Sequence, residues 1–113
     1  MRYMSIYKTV ETGRPPTEDE MVKMGNLIEA STKNGSLIST GGLMPSATGA
    51  RVRLSNGKFS VTDGPFTESK ELIAGFAILE AASKEAAIKM AKEFLQVMSV
   101  GECEVRPMHV EAA

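Results

Sequence analysis

The chain has 113 residues, 42% hydrophobic and 24% charged, with 13 Lys+Arg against 14 Asp+Glu and a formal charge of −1. This describes one folded domain and excludes a disordered chain; the balanced charge offers no concentrated basic surface for nucleic acid. The longest apolar run, Leu72–Leu79, has eight residues, far short of the ~20 that span a bilayer.

The first residues, Met1 to Ile6, lack the anatomy of a signal peptide, and the single Cys cannot form an internal disulfide. The expectation is a soluble cytoplasmic domain. In chain order, Arg2–Val10 reads as a first strand, with Met4 and Ile6 alternating against Tyr3, Ser5 and Tyr7. Pro15-Pro16 keeps the next segment a loop. Thr17-Glu18-Asp19-Glu20 forms a capping box that opens a helix over Thr17–Asn34, with Met21, Met24, Leu27, Ile28 and Ser31 as its inner stripe. Leu37–Leu43 is a second strand.

Arg51–Thr62 is a hairpin turning on Asn56-Gly57, a pair suited to a type I′ turn. A two-residue turn there pairs Leu54 with Phe59 and Val52 with Val61 on one face, leaving Arg51, Arg53 and Lys58 on the other. After the loop Asp63–Lys70, Glu71–Ala81 is a strand apolar on both faces. Leu72, Ala74, Phe76 and Ile78 lie on one, and Ile73, Ala77 and Leu79 lie on the other beside Gly75. Ser83 caps a second helix with Ala86, Ala87, Met90, Ala91, Phe94 and Leu95 inside, and Glu102–Val110 is the last strand. The fold expected is α+β, a ferredoxin-like βαββαβ sandwich with an inserted hairpin. Two helices cover one sheet face only. The second apolar face needs a partner, and the same face of another subunit would serve in a homodimer.

Asp63 follows a strand end at a sharp Gly-Pro turn. It could serve as a general base or hold a ligand, or its carboxylate could accept amide hydrogen bonds within the turn. Lys70 and Glu71 either reach a pocket at the sheet end or form a solvated pair. His109 is the only imidazole, in a terminal strand where an incidental role competes with a catalytic one. Arg106 could hold a carboxylate, but Glu102 and Glu104 compete for it. Arg51, Arg53 and Lys58 either attract an anion or protect an exposed hairpin. Cys103 reads as a buried thiol, and the methionines as core filler. One His and one Cys build no zinc site of their own, and there is neither a P-loop nor a dinucleotide fingerprint, so neither metal nor cofactor is expected. Gly41-Gly42 marks a bulge or a close backbone approach.

Asp63-Gly64-Pro65-Phe66, followed by Glu68, Lys70-Glu71 and Gly75-Phe76, resembles the DGPF branch of the YCII-related family. The likeness runs from Arg2-Tyr3-Met4 through Gly41-Gly42-Leu43 to Glu104-Val105-Arg106-Pro107. The resemblance implies a dimeric α/β-barrel type of domain, with Asp63, Lys70 and Glu71 as pocket residues; in a small-molecule site there, Phe66 and Phe76 would be the apolar walls. It also implies a regulatory setting beside a sigma factor, or an acid–base enzyme of the isomerase or lyase kind. The His–Asp pair of some YCII members is not carried over, because Thr17–Asn34 contains no His.

Overall fold

A computed structural model describes residues 1–66 and 71–109. Its elements are β1 (Arg2–Thr9), α1 (Glu18–Lys33), β2 (Leu37–Gly42), a 3-10 turn at Ser46–Thr48, β3 (Ala50–Ser55), β4 (Lys58–Asp63), β5 (Leu72–Glu80), α2 (Lys84–Met98) and β6 (Glu102–Pro107). The main sheet runs β2-β5-β1-β6 with every neighbouring pair antiparallel. Both helices cross between its strands, giving the ferredoxin-like α+β order. Between β2 and β5 the chain leaves the sheet as a separate arm, the β3–β4 hairpin.

Alternation along β1 sets the two faces. Tyr3, Ser5 and Tyr7 are buried against the helices, opposite Leu79, Ala77 and Gly75 of β5 and Pro107, Val105 and Cys103 of β6. Tyr3, Leu79, Ala81 and Ala87 form the core, with Met90 and Val105 packed on it. The Phe94 ring meets Tyr7 edge to face at 4.9 Å, the arrangement favoured by aromatic quadrupoles. The open face carries Met4 and Ile6 of β1 opposite Ile78 and Phe76 of β5. One detail departs from simple alternation. Tyr7 pairs with Gly75 but Lys8 pairs with Ile73, so Ala74 is an extra residue in a β-bulge. Beyond it the faces exchange: Ile73 joins Phe76 and Ile78 on the open face, and Leu72 turns to the helix side, the reverse of the alternation expected from sequence.

Local chemistry explains the helix ends. Thr17 Oγ1 accepts the Glu20 amide at 3.1 Å, and Ser83 Oγ accepts the Ala86 amide at 3.2 Å. The capping box is half made, since the Glu20 carboxylate lies 3.8 Å from Arg14 instead. α2 buries Ala87 and Ala91, whereas α1 buries no residue at all, and Met21, expected inside, is 61% exposed. The reason lies in the sheet below α1, where Gly42 and Gly75 present no side chains to the helix.

Candidate functional site

The turn chemistry of the arm is as the sequence implies. Asn56 and Gly57 both take positive φ, 52° and 76°, and the register pairs Leu54 with Phe59 and Val52 with Val61. The Asp-Gly-Pro-Phe segment then anchors the arm to the body. A Cβ on Gly64 would overlap the Ser46 carbonyl, so this close approach admits only glycine. The Gly64 amide donates to the Gly49 carbonyl at 3.0 Å, and the Phe66 amide to Ser46 Oγ at 3.3 Å. Ser46 in turn donates its amide (2.7 Å) and its hydroxyl to the Glu11 carboxylate. Those bonds, the hydroxyl's first, hold the Glu11 carboxyl below its ordinary range. The Arg51 guanidinium sits 4.1 Å over the half-buried Phe66 ring.

Asp63 ends β4 opposite Ala50 and is exposed, as is Glu71 before β5. Among the described residues no donor reaches the Asp63 carboxylate. Lys70 lies outside the described residues. Phe76 is on β5, and its ring packs against Gly41, where an added Cβ would stand 3.0 Å from the ring. The structure therefore groups Asp63 and Phe66 at the arm root and sets Phe76 within the main sheet.

A cavity of about 470 Å³ lies between the main sheet and the two helices. It exists because β2 and β5 offer Gly42, Gly75 and Ala77 on the helix side, where larger side chains would fill the layer. α1 roofs it with Met24, Leu27, Ile28 and Ser31, and α2 supplies Met90, Phe94 and Met98. Two of its polar groups are engaged: Tyr7 Oη donates to the Val100 carbonyl at 2.7 Å, and Thr40 Oγ1 to the Phe76 carbonyl at 2.9 Å. Burial pushes the Tyr7 hydroxyl above its ordinary value, which keeps it a donor at neutral pH. Glu93, exposed, is the one ionisable side chain at the lining besides Tyr7. Sequence reasoning passed over this site because it treated the glycines as backbone devices and the methionines as filler. The legible signal was the coincidence of small residues on two strands predicted to lie under Met-rich helices.

The remaining candidates separate. Lys8 Nζ bonds Glu104 at 3.0 Å and Arg106 stands 3.5 Å from the same carboxylate, so Arg106 is in an ion pair. Glu104 is held low by its hydrogen bond to Lys8, and Lys8 is raised by the same bond. Burial raises the half-buried Cys103 thiol, making it a poorer nucleophile at neutral pH. His109 is exposed. Among the described residues no three His, Cys, Asp or Glu side chains converge as metal ligands, and no helix is long and apolar enough to cross a membrane.

Comparison with known proteins identifies the family. The YCII-related domain matches residues 1–109, and the chain belongs to that family. An uncharacterised protein of Rhizobium meliloti (strain 1021) is 39% identical over 67 residues, which cover 58% of this chain and 54% of that protein. The match thus spans about half the length of that relative.

Proposed function

We propose that this YCII-related domain binds a neutral, apolar small molecule in the cavity beneath α1, and that it does so as a homodimer. The observation that carries the binding reading is the cavity itself: about 470 Å³, roofed and walled by apolar side chains, within the roughly 300–1,000 Å³ range of small-molecule sites. A ligand there gains from leaving water but finds no charge to pair with inside, so an anion would be strongly disfavoured. α1, with no buried side chain, can move aside at low cost and admit the ligand. The homodimer reading is supported by the open face, where Met4, Ile6, Ile73, Phe76 and Ile78 share one side of the sheet without a helix over them.

Titration with the uncharged dye N-phenyl-1-naphthylamine tests the binding. Saturable fluorescence at one dye per chain is expected, weakened at least tenfold by Ser31→Phe, which fills the space under α1. The near-UV spectrum of the variant should stay native. Equal affinity in the filled variant, or no saturable binding to the native chain, contradicts the reading.

A second reading is an acid–base enzyme with Asp63 as general base, sharing a pocket with Phe66, Lys70 and Glu71. It is favoured by one observation, an exposed carboxylate that no described donor engages. Turnover that survives Asp63→Asn would eliminate it.

A further inference from the structure

We infer that the β3–β4 arm is a clasp, whose apolar stripe lies on the open sheet face of a second copy of this chain while the second copy's arm returns the contact. The inference rests on the homodimer reading and adds the partner surface that the arm engages.

Three observations carry it. First, Val52, Leu54, Phe59 and Val61 form one continuous face of the arm and are 61–75% exposed, although two cross-strand apolar pairs normally mark a packed surface. Second, the chain itself does not cover that face. The radius of gyration is 16.0 Å, against about 13 Å for a compact chain of this length. The arm root is also fixed by the Gly64–Ser46 approach and the hydrogen bonds of Gly64 and Phe66, which resist folding the arm back. Third, the same chain carries a second apolar surface with no helix over it, the open face, where Ile73 is 54% exposed and Phe76 half-buried. Two apolar surfaces that their own chain leaves open are both satisfied at once by a two-fold pair, because each arm meets the other's sheet. The areas agree with this. Met4, Ile6, Phe76 and Ile78 are already half-covered, so the sheet faces alone fall short of the roughly 800 Å² per partner of a stable complex. Each arm adds the exposed apolar surface of Val52, Leu54, Phe59 and Val61.

The test uses the full chain with Phe59→p-benzoylphenylalanine, mixed as unlabelled and nitrogen-15-labelled copies and irradiated. Cross-links joining a light to a heavy chain at peptides containing Met4, Ile6, Ile73 or Ile78 are expected. Cross-links confined to one chain, or joining two chains elsewhere, overturn the clasp. A second variant, Leu54→Ser with Phe59→Ser, should raise the dimer dissociation constant at least tenfold with an unchanged far-UV spectrum. An unchanged constant overturns the clasp while the sheet-face dimer stands. A native chain that is monomeric at every concentration overturns the homodimer reading and the clasp with it.

Discussion

β1 and the arm strand β4 follow the same alternation, yet they end in opposite environments. On β1, Tyr3 and Tyr7 are 6% and 5% exposed; on β4, Phe59 and Val61 are 75% and 64% exposed. β4 places Phe59 and Val61 on one side with period two, as β1 places Tyr3 and Tyr7. The difference is what the topology lays over them. α2 packs across β1 and β6, putting Ala87 against Tyr3 and Phe94 against Tyr7, whereas among the described residues neither helix packs extensively on the arm. An apolar face is a demand for cover, and connectivity decides whether the same chain supplies it.

That contrast can be broken or sharpened by mutation. The largest effect is expected at β1: Tyr3→Ala removes a core ring and should cost about 3–5 kcal/mol in urea unfolding. The equivalent truncation on the arm, Phe59→Ala, should change the stability of an isolated chain by less than about 0.5 kcal/mol. Similar losses at the two positions in a dilute sample would mean that the arm face is packed within its own chain. Next comes the arm root. Gly64→Ala drives a methyl into the Ser46 carbonyl and should cost about 1–3 kcal/mol. It should also broaden the arm's amide resonances more than those of β1.

The smallest effect concerns acid. The Glu11 carboxyl is held low by Ser46, so its contribution is fully present above the ordinary Glu value and is lost as pH falls through the lower folded value. The Ser46 and Phe66 amide shifts should report that protonation together, and Glu11→Gln should abolish the transition. A Ser46 amide that titrates unchanged in Glu11→Gln would place the controlling group elsewhere.

Much of this architecture is legible in the residues. Thr17 and Ser83 mark helix starts by their capping chemistry, and Asn56-Gly57 fixes the hairpin register because both positions need positive φ. The bulge at Ala74 is not legible, since nothing in an unbroken apolar run says where one residue is skipped, and that skip moves Ile73 and Leu72 to opposite faces. The inner stripe of α1 is only partly legible. Its period is helical, but Gly42 and Gly75 supply no side chains to meet it, so Met24 and Leu27 line a space instead of filling a core. The Asp63 motif divides in the same way. Gly64 and Phe66 are accounted for by the arm root, while the Asp63 carboxylate takes no described hydrogen bond that would explain it.

The measurement that bears most directly on the central claim is sedimentation equilibrium of the native chain from nanomolar to micromolar concentration, beside Ile78→Glu on the open face. The account predicts the mass of two chains for the native protein, with a reversible monomer at the lowest concentrations and a folded monomer throughout for the variant. A native chain with the mass of one copy at every concentration would contradict it, because the arm and the open face would then remain in water by design of the fold.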